Sequence, residues 1–361
     1  MTLLFSEGFY PYAAQADFVN FGYTANALTY SATSGYNSQP GIAFTANGNF
    51  TSNSLSGIGF VAPASNEIRF GFWLKCPSGA VTDPGSGVTY GGLTLQNSGA
   101  TYNLDVRLGP TTGRIGISNF SPVATLVIGS AYTGLTNLRD GQHHWIEVRA
   151  IIAAASGGTL QVWVDGTQEI NQTGITNDGG SGLTATSLTK LFLANWTVSG
   201  GNAVISHVMI WDTSGSGMIG YTGPSRIETL TPNAAGDLSG LTPTSGANYT
   251  TVNETVPNFD TNYVESAIAT TIDLYNYTTL SVTPASIKGV MVKTFAKNAD
   301  VGSKTFRAKA SSSAVIANGA TQTLAVSYKQ FTEFFPVDPN TSAAWTKAGI
   351  DAAQFGVEVQ T

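Results

Sequence analysis

A single cysteine, Cys76, stands in a chain of 361 residues, so no internal disulfide can form. Within the strand-like run EIRFGFWLKC it reads as a small buried hydrophobe, and a disulfide-stapled secreted module is excluded. Charge is equally scarce. Asp, Glu, Lys and Arg make up 11% of the chain, against roughly 25% in ordinary soluble domains. The net charge of −6 argues against bulk nucleic-acid binding. The 3 histidines lack i, i+4 spacing and the lone cysteine cannot complete a structural zinc site. No apolar run reaches the ~18 residues of a membrane span. The opening MTLLFSEGFY has neither the basic start nor the sustained apolar run of a signal peptide. Phosphate-gripping loops, a G-x-S-x-G elbow, heptads and internal repeats are all missing.

What is present suits β structure. Hydrophobic residues reach 42% and aromatic residues 11%, enough for real cores, and 41 glycines supply turns. The run His144–Ile152 alternates. Trp145, Glu147, Arg149 and Ile151 share one side, and Ile146, Val148, Ala150 and Ile152 share the other. Residues 159–165 repeat the pattern, with Leu160, Val162 and Val164 opposite Gln161, Trp163 and Asp165. A period of two with β-branched and aromatic side chains predicts strands. Ser156-Gly157-Gly158 and Asp165-Gly166 predict hairpin turns. The expectation is an antiparallel meander with one buried and one wet face.

Further short strands are expected near 18–31, 41–45, 58–62, 66–76, 91–97, 101–108, 113–119, 189–195 and 203–211. Many short strands between glycine-containing turns predict a sandwich. Residues 222–262 hold Pro224, Pro232, Pro243 and Pro257 and read as an extended acidic connector. Residues 222–280 carry one Lys or Arg against six Asp and Glu, whereas residues 281–361 carry eight against five. Beyond Tyr263 come long strands at 264–277, 286–297, 304–317 and 322–335. A helix over 342–353 capped by Asn340 or Thr341 and a last strand at 355–360 follow. The chain thus divides into 1–221, a connector 222–262, and a second β-sandwich 263–361.

The segment Asp140-Gly141…His144, followed by Gly158-Thr159-Leu160 and Asp165-Gly166, resembles the laminin-G/concanavalin-type jelly roll. Val204–Asp212 is similar to that family's closing strand, with Ser206-His207 where an acidic pair is usual. The resemblance covers roughly residues 1–215 and implies a lectin-like jelly roll. LLFSEGFYPY at the start, Ile287-Lys288-Gly289-Val290, Asp338-Pro339-Asn340-Thr341 and Ala344-Trp345 resemble virion proteins of tailed bacteriophages. That implies a particle component, either tail appendage or capsid decoration, which forms homo-oligomers and contacts other virion proteins.

Sugar hydrolysis needs two carboxylates on one face, and Glu67, Glu147 and Glu169 each lack an acidic neighbour two residues on. His143 and His144 are adjacent and point to opposite faces, so neither they nor His207 suggest a nucleophile's base. The expectation is a non-enzymatic protein without cofactor. The alternative is an adhesin that grips a host-surface glycan through Trp163 and Trp196, beside Asn177 and Asp178. Were the jelly roll to keep a calcium rim site, Asp105, Asp165 and Asp178 would be its ligands; otherwise they cap turns. Lys288, Lys293, Lys297, Lys304, Arg307 and Lys309 form a cationic set on two neighbouring strands. It would either meet the acidic stretch in assembly or protect a sheet edge.

Overall fold

The computed structural model describes residues 3–9, 28–44, 56–60, 62–78, 91–97, 103–108, 113–120, 134–153, 157–174, 186, 188–193, 197–198, 201–215, 218, 220–254 and 256–361. The chain divides into two compact units, Met1–Ile227 and Glu228–Thr361. No helix among the described residues is long and apolar enough to cross a membrane.

The first unit runs through β1 (Leu3–Glu7), β2 (Leu28–Ser31), β3 (Gly41–Phe44), β4 (Ser56–Gly59), β5 (Glu67–Lys75), β6 (Gly91–Asn97), β7 (Asn103–Leu108) and β8 (Ile115–Phe120). It continues with β9 (His143–Ile151), β10 (Gly158–Val164), β11 (Thr167–Gly174), β12 (Leu188–Leu193), β13 (Thr197–Val198), β14 (Gly201–Asn202) and β15 (Val204–Asp212). One antiparallel sheet has the order β11-β10-β9-β5-β15-β3-β2, with β1 also on β15, and the other has the order β4-β12-β6-β7-β8. This is the jelly-roll sandwich that the alternation predicts. Ile68, Phe70, Phe72 and Leu74 of β5 and Ile146, Val148 and Ala150 of β9 are wholly buried on the inner side. The β10–β11 hairpin turns through Asp165 and Gly166 at φ 48° and 92°. Two consecutive positive φ values make the tight turn that matches strand twist.

One expectation fails. The outer face of β9 is not wet: Trp145 and Glu147 are as fully buried as the core. The cause is the chain itself, since residues 221–227 lie across that face and hydrogen-bond to it.

The second unit holds β16 (Pro232–Ser239), β17 (Thr242–Pro243), β18 (Val264–Glu265), β19 (Ile272–Tyr277), β20 (Val290–Ala296), β21 (Thr305–Ser312), β22 (Val315–Asn318), β23 (Gln322–Thr323), β24 (Lys329–Phe335) and β25 (Gln354–Val359). One sheet has the order β16-β19-β25-β21-β22 with β23 on β21, while β20 pairs with β24 and β17 with β18. Val292 of β20 and Phe335 of β24 join Ala308, Ala310, Trp345, Ile350 and Phe355 in one core. Trp345 Nε1 donates to the Phe335 carbonyl at 2.9 Å. The unit is therefore a second, smaller β structure with a single short helix.

Its details differ from the sequence expectation for local reasons. The stretch 222–262 is shared between the units: 222–227 belongs to the first, and β16 is an edge strand of the second. The helix spans only Lys347–Ala352, capped by Thr346, whose hydroxyl accepts from Gly349 N. Ser342 at φ 54° cannot begin it. Strand 304–317 breaks into β21 and β22 because Ser313 and Ala314 take φ of 47° and 65°, a hairpin turn. The cationic strands β20 and β21 are not neighbours as expected: β20 pairs with β24 and β21 with β25, in different sheets.

Candidate functional site

Odd-numbered residues of β5 and β9 face away from the sandwich core, and the register sets Lys75 opposite His143, Trp73 opposite Trp145 and Arg69 opposite Arg149. At one end of this face a polar ladder crosses four strands. Glu67 accepts from Arg69 Nε at 2.6 Å and from Arg149 Nη2 at 2.8 Å. Arg149 Nη1 donates to Gln161 Oε1 at 3.0 Å, and Gln161 Nε2 to Asn171 Oδ1 at 2.9 Å. Burial opposes ionisation of Glu67, but the two guanidinium groups prevail and hold its carboxyl below the usual range.

At the other end lies a cleft of about 300 Å³ lined by Thr33, Ser34, Gly35, Ser38, Lys75, Pro77, His143 and Val204. The 34–41 loop that forms its wall is built to one shape. Asn37 and Ser38 hold φ of 57°. A Cβ on Gly35 would stand 2.4 Å from the Pro40 carbonyl oxygen and 2.8 Å from Ser206 Cβ. Tyr36 N donates to Ser206 Oγ at 3.1 Å, and the Tyr36 ring stacks on Trp73 with centroids 3.5 Å apart.

Inside the cleft, His143 Nε2 lies 3.2 Å from the Ser34 carbonyl. A carbonyl can only accept, so Nε2 carries the proton and Nδ1 keeps its lone pair. Burial depresses the His143 pKa, and the positive charge of Lys75 adds to this, so the ring is neutral at pH 7. Lys75 makes no ion pair with any described residue. Ser34 Oγ is buried without a hydrogen-bond partner. The cleft thus offers an ammonium with no ion-pair partner among the described residues and a neutral imidazole of fixed tautomer.

Between ladder and cleft, residues 221–227 cover the sheet. Glu147 accepts from Thr222 N at 3.0 Å, Thr222 Oγ1 at 2.9 Å and Gly223 N at 3.3 Å, and burial raises its pKa despite these donors. Trp73 Nε1 donates to the Ser225 carbonyl at 2.7 Å, and Ile227 N to His207 Nδ1 at 3.0 Å.

The residues singled out by sequence fall differently. Trp163 is half-buried on the same outer face, its ring 5.7 Å from that of Tyr221. Trp196, Asn177 and Asp178 lie outside the described residues, as does the side chain of Asp105. Asp165 caps a turn: Oδ1 accepts from Trp145 N and Oδ2 meets His144 Nδ1, each at 2.7 Å. Among the described residues no cluster of three His, Cys, Asp or Glu could hold a metal. In the second unit Lys297 pairs with Asp260 at 2.5 Å, within the acidic stretch, and lies over the Tyr328 ring. Lys304 meets Asp300 at 3.5 Å, Lys293 lies on β20, and Lys288 precedes that strand. Arg307 and Lys309 both pair with Glu358 inside the unit. Sequence reasoning passed over Lys75, Ser34 and His143 as a set. The outward parity of Trp73 and Lys75 along β5 was the available signal.

No protein family and no curated protein matches the chain. Solved structures do. Alginate lyase Aly36B, in complex with an alginate tetrasaccharide, is 12% identical with a TM-score of 0.39, over 58% of this chain and 93% of that one. The endo-β-1,4-glucuronan lyase of Trichoderma reesei is 12% identical with a TM-score of 0.36, over 59% and 96%. A conserved carbohydrate esterase of the Shiga toxin-encoding bacteriophage phi24B is 12% identical with a TM-score of 0.35, over 58% and 97%. At these identities the likeness is one of fold. The expectation of a non-enzymatic protein finds no support in these neighbours, which are themselves named as carbohydrate-active enzymes.

Proposed function

We propose that the first unit handles polysaccharide and that the Lys75–His143 cleft is its working site, taking a sugar that bears a carboxylate. The observation that carries this reading is the unpaired ammonium of Lys75 set beside a neutral imidazole in one cleft. An ammonium without an ion-pair partner among the described residues, in a half-buried cleft, attracts an anion of saccharide size. Among the described residues no carboxylate lines the cleft, so the reading does not draw on the paired acids of glycoside hydrolysis. Chemistry there takes another form. Lys75 neutralises the sugar carboxylate, His143 Nδ1 removes the proton α to it, and the electron pair forms a double bond as the glycosidic oxygen departs and takes up a proton from water. The carbohydrate-active neighbours accord with this reading but do not carry it.

The full chain incubated with polyuronates and with neutral glucans tests it. Binding confined to the acidic polymers, with affinity lowered about tenfold or more in Lys75→Met, is expected. Equal indifference to both classes of polymer overturns it. New ultraviolet absorbance from unsaturated uronate ends would mark turnover.

A second reading places the chain in a tailed-phage particle, as tail appendage or capsid decoration, with copies of itself and other virion proteins as neighbours. It draws on the sequence resemblance at both ends and on the exposed Ile268, Val301 and Val326 of the second unit. It is compatible with a catalytic first unit. Peptides of the chain in purified particles would support it, and their absence would remove it.

A further inference from the structure

We propose that residues Ser225–Ile227 form an acid-released strap that holds the wall of the Lys75–His143 cleft in place, with His207 as its catch. The inference stands whether or not the cleft binds saccharide.

Four contacts link strap to wall. Ile227 N donates to His207 Nδ1 at 3.0 Å. The Ser225 carbonyl accepts from Trp73 Nε1 at 2.7 Å. Trp73 carries the stacked ring of Tyr36, and Tyr36 N is bonded to Ser206 Oγ, next to His207. Ser34 and Gly35, the neighbours of Tyr36, line the cleft. The strap's last residue is seated closely, since a Cβ on Gly8 would come within 3.2 Å of Ile227 Cγ2.

The two anchors of the covering segment differ in chemistry. Glu147 accepts at Thr222 and Gly223, and a carboxyl group still offers an acceptor oxygen when protonated. His207 does not. A proton on Nδ1 turns the acceptor into a donor facing the Ile227 N–H, and it places a charge on a wholly buried ring. The charged groups facing it are Arg226 on the strap and His143 on β9, which oppose a second positive charge and together with burial outweigh the Tyr36 backbone, which favours one. On the adjacent strand β1, Glu7 Oε1 accepts from Phe9 N. Burial depresses the His207 pKa from 6.5 to about 4. A depressed value means that the folded state favours the neutral ring. The stabilisation is whole above the ordinary histidine value and is lost as pH falls through about 4. Acid therefore breaks the catch at Ile227 and leaves the Ser225 carbonyl on Trp73 alone to hold that end, while the Thr222–Gly223 end stays anchored.

His207 sits at φ 50°, in the bulge of β15 between Ser206 and Met209. Asparagine tolerates that conformation and presents an acceptor that does not titrate. Amide exchange of the full chain, expressed as protection factors at pH 7 and at about pH 4, compares the wild type with His207→Asn. In the wild type the Ile227 and Tyr36 amides are expected to lose protection at least tenfold, while those of Val148 and Val162 keep theirs. In His207→Asn the Ile227 and Tyr36 amides should be indifferent to pH. Three results overturn the proposal: unchanged wild-type protection, equal loss in the variant, or simultaneous loss throughout β9 and β10. Should the variant not fold, the His207 ring resonances of the wild type decide. Their titration must coincide with the loss at Ile227, and a separation of more than about one pH unit refutes the catch.

Discussion

The imidazole of His144 is gripped from both sides, with Nδ1 2.7 Å from Asp165 Oδ2 and Nε2 3.1 Å from Asp140 Oδ1. A carboxylate at each nitrogen favours a proton on both, and so the imidazolium form. Burial alone would lower its pKa, but Asp165 and then Asp140 prevail and raise it. A histidine whose folded value is raised stabilises fully below its unfolded value, about 6.5. The contribution fades as pH rises through the folded value. The first unit is therefore expected to lose thermal stability as pH rises above the ordinary histidine value. His144→Leu should flatten that limb and cost about 1–2 kcal/mol, a modest sum because the aspartates remain 43% and 46% exposed. An unchanged alkaline limb in the variant would show that the clamp carries no proton.

In the second unit Glu358 lies between Arg307 Nε at 2.8 Å and the ammonium of Lys309, which is 4% exposed. Burial works against its ionisation, yet the two cations hold its carboxyl below the usual range. Its stabilisation is present above the ordinary carboxylate value and is lost as pH falls through the depressed one. Glu358→Gln leaves the buried Lys309 ammonium without its counter-charge, with Asn318 Oδ1 as a neutral acceptor, and should cost about 3 kcal/mol in denaturant unfolding. Lys309→Met combined with Glu358→Leu should recover most of that loss, because Arg307 still reaches water. A double variant no better than the single one would refute this account.

Much of the first unit was legible because its signals are local. The alternation in β5, β9 and β10 fixed both faces and the core, and Asp165-Gly166 announced its turn. What covers the outer face was not legible. Thr222, Ser225 and Ile227 find Glu147, Trp73 and His207 across 75, 152 and 20 positions, and no periodicity encodes such distances. The cleft was missed for the same reason, since only strand register brings Lys75 to His143. Strand β16 was hidden by composition. Pro232 suggested a connector, but proline is tolerated as the first residue of an edge strand.

Gly71 is where the covered face leaves no room. A Cβ there would lie 2.5 Å from Cζ2 of Trp145, whose ring is wholly buried. Gly71→Ala is expected to destabilise the first unit by about 1–3 kcal/mol through overpacking. Gly141, at φ 82° and with no heavy atom within 4 Å of where a methyl group would stand, provides the contrast. Gly141→Ala should cost only the conformational strain, about 1 kcal/mol. Chemical denaturation of both variants checks the order, which reverses if the tryptophan can move aside freely.

Burial and the nearby ammonium of Lys75 keep His143 below the ordinary histidine value, and its Nε2–H is tied to the Ser34 carbonyl. Removing the cation in Lys75→Met leaves the burial and the hydrogen bond in place. The ring should then titrate at a higher pH than in the wild type, as followed by its carbon-bound proton resonances. If the cleft abstracts protons, its rate rises with pH through the His143 value and then levels, because only the neutral ring accepts. The rising limb should move upward in Lys75→Met together with the resonance. A rate limb that stays fixed while the resonance moves would assign the proton transfer to another group.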